Sequence, residues 1–148
     1  TSLTVATHAG RIVHNDTAGA VTYTLPAVNA TADSGIAGPG PSLDNLSNVG
    51  ATFTIINSIT KTGDLVVQVA NSTDVMSGGA FYIDDTSDNV VGFETVAASD
   101  TITLNGTDTG GVTYAKIVCT VLGTGLWSVS VHTGCTGTPA TCFSAAVS

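Results

Sequence analysis

From Val21 to Leu25 the segment AVTYTL, residues 20–25, alternates large apolar or aromatic residues with threonine, and the same beat returns along most of the chain. Val21, Tyr23 and Leu25 fall on one side of this segment, Thr22 and Thr24 on the other. Such a period marks a half-buried strand, because successive side chains of an extended backbone point to opposite faces. TFTIIN (52–57) places Phe53 and Ile55 together, and DLVVQVA (64–70) does so for Leu65, Val67 and Val69. DTITLNG (100–106) turns Ile102 and Leu104 inward, and VTYAKIVCTVL (112–122) aligns Ile117, Cys119 and Val121. LWSVSVH (126–132) sets Trp127, Val129 and Val131 inward, with Ser128, Ser130 and His132 outward. Shorter candidates are LTVAT (3–7), RIVH (11–14), AFYID (80–84) and VVGFETV (90–96).

The breaks between these runs carry turn chemistry: TKTGD at 60–64, SGG at 77–79, DDTSDN at 84–89, TDTGG at 107–111 and GTG at 123–125. Gly supplies backbone angles other residues avoid, and Asn or Asp bonds its own backbone. Asn105-Gly106 is a favoured tight-turn pair. No segment carries a helical stripe of useful length; at most one turn fits SLDNLSN (42–48). The pattern predicts an all-β chain, an antiparallel β-sandwich or jelly-roll-like domain of roughly eight to ten short strands.

Three segments fall outside this pattern: an N-terminal arm (1–11), a loop at 28–50 and a C-terminal tail (133–148). Pro26 has no N–H to continue a ladder, so it ends the strand at Leu25 and releases the chain into the loop. Structureless loops beyond about 12–15 residues are uncommon in compact domains, and a contact between subunits is one use for them.

Charge limits the partners. The net charge is −8, and the only Lys and Arg residues are Arg11, Lys61 and Lys116. Three scattered cations cannot replace the counterions of a phosphate backbone, which excludes a nucleic-acid partner, and an anionic membrane is disfavoured for the same reason. No apolar run approaches the ~18 residues of a membrane span. The start, TSLTVATHAG, lacks the pattern of a signal peptide; such leaders are removed on secretion, so the compartment stays open. Few lysines also leave few charges to blunt strand edges.

Chemistry is sparse. His8, His14 and His132 show no close zinc spacing. Asp84, Asp85 and Asp88, with Asn89, are a weak calcium candidate without the full EF-hand spacing, and an Asx-stabilised turn is the simpler reading. Glu94 is the only Glu, and no nucleophile elbow, Cys–His signature or phosphate loop occurs. The expectation is therefore no enzyme, no catalytic residue and no cofactor. Cys135 and Cys142 bracket a flexible stretch that could close a disulfide, whereas Cys119 reads as a buried thiol. Asn-x-Ser/Thr triplets begin at Asn15, Asn29, Asn45, Asn71 and Asn105, a mild excess over chance that turn-favouring Asn beside strand-favouring Thr largely explains.

The order of elements resembles a recurrent layout of tailed-bacteriophage virion proteins, particularly head decoration (cement) proteins and some fibre domains. The matching pieces are the "TLP" strand end, G-x-x-F-x-I-x-N, D-x-I-x-L-N-G and a closing G-x-W-x-V, across residues 18–28 and 50–132. The resemblance implies a structural protein on the outer capsid surface of a virion, a homotrimer that clamps neighbouring major capsid protein subunits. The expected contacts are Leu3, Val5 and Arg11 of the arm, Ile36, Pro39, Pro41, Leu43 and Leu46 of the loop, and Phe143 of the tail. The alternative is a receptor- or glycan-binding domain of a tail fibre, spike or surface adhesin, using Tyr82, Tyr114 or Phe143 as exposed aromatics. A subunit of an extracellular filament or surface layer is a third.

Overall fold

The computed structural model describes residues 1–29 and 47–148. The loop contacts expected at Ile36, Pro39, Pro41, Leu43 and Leu46, and most of the helical turn expected at 42–48, lie outside the described residues.

Extended structure dominates. Among the described residues, a single helical turn, α1 (Val5–His8), is followed by ten strands: β1 (Ile12–Asn15), β2 (Val21–Thr24), β3 (Thr52–Asn57), β4 (Leu65–Gln68), β5 (Val75–Asp84), β6 (Val90–Glu94), β7 (Thr101–Leu104), β8 (Lys116–Gly123), β9 (Leu126–Cys135) and β10 (Phe143–Ser144). They form a six-stranded sheet in the order β1-β3-β8-β9-β5-β6 and a four-stranded sheet in the order β10-β7-β4-β2.

Both sheets are mixed, which corrects the antiparallel expectation. β1 runs parallel to β3, β2 to β4, and β5 to β9. The connections explain two of these pairs. The first five strands enter the two sheets in turn, so β3 returns beside β1, and β4 beside β2, in the same direction. Among the described strands, only β5–β6 and β8–β9 are consecutive antiparallel neighbours. Alternation of side chains reports which face is buried and is blind to strand direction.

The alternating positions deliver one hydrophobic cluster drawn from both sheets. Phe53, Ile55, Ile117, Cys119, Val121, Trp127, Val129 and Val131 come from the six-stranded sheet, and Leu65, Val67, Ile102 and Leu104 from the four-stranded one. Trp127 packs on Phe53 with ring centroids 5.8 Å apart at 60°. A buried polar network helps tie the sheets together. Asn15 Nδ2 donates to Asn57 Oδ1 at 2.7 Å, and the Tyr23 hydroxyl donates to Asn15 Oδ1 at 3.3 Å. Asn57 Nδ2 in turn donates to the carbonyls of Ile59, Gly111 and Val112. Lys61 is buried beside this network, its ammonium donating to the Thr17 and Gly19 carbonyls. Desolvation lowers its pKa, with Asp64 opposing the shift.

Arm and tail are both attached to the four-stranded sheet. Leu3 N–H donates to Thr24 O, Thr24 N–H donates to Thr1 O, and Ser2 bridges Thr24, so the arm lies along the outer edge of β2. The tail returns as β10 beside β7, with Phe143 opposite Ile102. Asp100, itself buried, then accepts the backbone N–H groups of Ala146 and Val147. Two contact expectations change as a result. Leu3 is only 2% exposed and Phe143 is buried, so both belong to the protein's own core.

Candidate interaction surface

The outer face of the six-stranded sheet carries what the inward faces leave over. Along β5 the alternation buries Ala80 and Tyr82 and exposes Phe81 and Ile83. Register places Phe81 opposite Gly92 and Ile83 opposite Val90 on β6, and Phe81 beside His132 on β9. The Phe81 and His132 rings meet edge to face at 5.7 Å. Tyr114 reaches across from the 105–115 connection. Its hydroxyl lies where a Cβ on Gly134 would stand, so glycine at that point of β9 admits the ring.

The result is an apolar patch in which Phe81 is 54% exposed, Ile83 48%, Val90 70% and Tyr114 60%. Phe81 forms a ridge between two open grooves. One, of about 300 Å³, is bounded by Ile83, Val90, Tyr114 and His132. The other, of about 690 Å³, is floored by Gly79 and Gly92 and closed by Ser77, Glu94 and Thr95. A contiguous apolar patch rimmed by polar groups is the usual mark of an interaction site. Lys116 and His14 lie further along the row through His132, on the strands toward β1.

The residues expected from the sequence fall as follows. Val5 and Arg11 are exposed in the arm, away from this patch in sequence and on no shared strand with it. Of the three candidate aromatics, Tyr114 is at the surface, whereas Tyr82 and Phe143 are buried. Phe81 holds the position expected of Tyr82. Both faces of AFYID are apolar, so alternation alone cannot choose between them, and the burial of Ala80 opposite Phe93 decides it. Trp127, Phe53 and Tyr23 face inward as expected, and His132 faces out.

The DDTSDN stretch folds as a turn. Asp84 Oδ1 accepts from the Thr86 N–H and hydroxyl, and Oδ2 accepts from the Ser87 hydroxyl at 2.7 Å. These donors hold the Asp84 carboxyl below its ordinary value. Asp88 adopts a left-handed backbone, φ 55°, within the same turn. Among the described residues no three His, Cys, Asp or Glu side chains converge on a metal position, so Asp84, Asp85 and Asp88 do not assemble a calcium site. Asn71 and Asn105 likewise close turns, each accepting from the hydroxyl of the Thr two residues on.

All three cysteines are buried free thiols. Burial pushes Cys119 up to about 12 and Cys142 up to about 11. Cys135 is raised by desolvation, with the charges of Asp84, Asp85 and Asp108 adding to it. Tyr82 is raised as well, chiefly by burial. Its hydroxyl adjoins the Cys142 thiol, although no partner meets it in hydrogen-bonding geometry. A thiolate is the reactive form of cysteine, and burial suppresses it at neutral pH.

The loop at 28–50 leaves and rejoins the β scaffold through a closed neck. Asn48 N–H donates to Asn29 O at 2.8 Å, Asn48 Oδ1 accepts from Asn29 N–H, and Asn48 Nδ2 donates to Ala27 O. Buried Asp74 fixes the outgoing side by accepting from Val28 N–H at 2.9 Å. These partners sit 19 and 46 residues apart in sequence, and no local pattern announces them.

Comparison with protein-family models, with curated proteins and with solved structures gave no match.

Proposed function

We propose that this chain is a structural virion protein that binds the outer surface of a phage capsid as a homotrimer and stabilises the shell by clamping neighbouring major capsid protein subunits. The element order that resembles head decoration proteins suggests the setting. The observation that carries a contact role is the exposed patch of Phe81, Ile83, Val90 and Tyr114. The Ser77 and Thr95 hydroxyls beside it can be buried at modest desolvation cost where they keep hydrogen bonds. The proposal includes a sandwich of jelly-roll-like kind for the two sheets. The mechanism is mass action: a partner that binds only the assembled shell makes disassembly costlier.

The test uses purified chain and shells of the virus that encodes it. Co-sedimentation is expected with expanded shells and not with precursor shells, and Phe81→Ser is expected to weaken it without lowering the melting temperature. Binding to neither shell overturns the proposal.

A second reading, a receptor- or glycan-binding domain, is favoured by one observation: Phe81 and Tyr114 flank an open groove with His132 at its side. Glycan-array binding lost in both Phe81→Ala and Tyr114→Ala would replace the first reading with this one.

A further inference from the structure

Among the described residues, no segment pairs with the outer edge of β6. β6 is the last strand of its sheet. Asp84 N–H donates to Asn89 O and Thr95 N–H donates to Gly78 O, so Asn89 and Thr95 turn their backbone groups toward β5. In an antiparallel ladder, bonded and non-bonded residues alternate, and each residue's N–H and C=O point to the same side. Val91 and Phe93 therefore face β5, and Val90, Gly92 and Glu94 direct their N–H and C=O groups outward. Natural edges are blunted by lysine, proline, bulges or a covering segment. β6 has no lysine or proline, and its pairing with β5 runs without a register shift. The outer edge of β2, by contrast, is covered by the arm.

Side chains along this edge select the occupant. Val90 and Gly92 form its centre, backed by Ile83 and Phe81 on β5, and Gly92 leaves open space beside the Phe81 ring. Glu94 stands at one end and the acidic turn of Asp85 and Asp88 at the other. The edge is thus apolar in the middle and negative at both ends. A second copy of this chain fits poorly. Antiparallel self-pairing centred on Gly92 would set each Glu94 opposite the copy's Val90 and diagonal to its Asp88, so like charges would meet twice.

We propose that β6 takes up an extended segment of a partner polypeptide by strand addition, a segment apolar at alternate central positions and basic at both ends. Main-chain hydrogen bonds to Val90, Gly92 and Glu94 hold it. The residue opposite Gly92 places an apolar side chain against Phe81, and the two basic ends face Glu94 and the Asp85–Asp88 turn. Alternate-side-chain pockets beside a bare edge are the usual means of such recognition. The inference rests on the contact role proposed above, and names the chemistry of one of its partners.

The probe is a capped heptapeptide of alternating Thr and Val with Lys at both ends, set against the same peptide with Glu at both ends. Binding is read by NMR titration of the isotope-labelled full chain. The Lys-ended peptide is expected to bind about tenfold tighter, with the Val90, Gly92 and Glu94 amides gaining exchange protection. Gly92→Pro removes an outward N–H without breaking a bond to β5, so it should abolish binding while leaving the melting temperature in place. Glu94→Lys should narrow or invert the preference between peptides, and it decides the matter alone if Gly92→Pro fails to fold. No amide shift at millimolar peptide, equal affinity for both peptides, or unaltered binding by the variants overturns the inference. Shell binding that survives any of these results leaves the decoration reading intact, so the two can fail separately.

Discussion

Replacing Cys119 with alanine should remove a large part of the protein's sensitivity to alkali. Cys119 sits on β8 with no exposed surface, and its thiol is raised from an ordinary 9.0 to about 12 by burial. The unfolded chain ionises this thiol as pH passes 9, whereas the folded chain keeps it protonated. The folded state then binds more protons, so stability falls as pH rises, by about 1.4 kcal/mol per unit for each such group. At a pH of about 10.5, roughly 1.5 units beyond the unfolded value, Cys119 alone accounts for a loss of about 2 kcal/mol relative to neutrality. Cys142, raised to about 11, loses a little less. Tyr82 and Tyr23 act in the same direction above 10, and Lys61, whose pKa is lowered, acts in the opposite one. These groups are common to parent and variant, so they drop out of the difference. Urea unfolding at pH 7 and at about 10.5, under reducing conditions, measures it. Cys119→Ala should start about 1 kcal/mol less stable at neutral pH, from lost packing, and close or reverse that gap in alkali. A separation between the two proteins that stays constant with pH would show that Cys119 is not the desolvated thiol described, and the reasoning would fail.

Four other perturbations have outcomes set by contacts within the fold. Asn57→Ala strips the Ile59, Gly111 and Val112 carbonyls and Asn15 Nδ2 of a buried partner, and should cost about 3 kcal/mol in chemical denaturation. Gly106 has φ +87°, and a Cβ there would stand 2.0 Å from the Lys61 carbonyl oxygen. Gly106→Ala should therefore cost at least about 2 kcal/mol, read from the thermal midpoint. Calcium and EDTA should leave the melting temperature unchanged, while Asp84→Ala lowers it by opening the β5–β6 turn. That contribution is present above the unfolded carboxylate value of 3.8 and fades as acid protonates Asp84 in the folded protein.

Much of the architecture was legible in the sequence because one face of most strands is polar. Phe53 and Ile55, Val67 and Val69, and Trp127, Val129 and Val131 alternate with Thr, Gln or Ser, so each of these segments declares its buried side. The turns at Asp84 and Asn105 were legible too, since a side chain bonding its own backbone is a local event. Direction was not. Parallel pairing of β1 with β3 and of β2 with β4 depends on which sheet the intervening strand enters. The surface patch was hidden by β5, where Phe81 and Ile83 are as apolar as Ala80 and Tyr82. The tail was hidden by brevity, for β10 has only Phe143 and Ser144 with which to show a pattern.

The Asn29–Asn48 clamp brings the two ends of the long loop to one point on the scaffold. Its two ends meet within one hydrogen bond, at 2.8 Å, and Asp74 anchors the outgoing side. Whatever joins those ends already begins and finishes at neighbouring points, so its length bears little on the sheets; each doubling adds only about 0.6 kcal/mol of closure entropy. The neck therefore works as a socket. Segments of different length and composition can be exchanged there, by natural drift or by an engineer displaying a foreign epitope, while the residues that hold the two sheets together go unchanged.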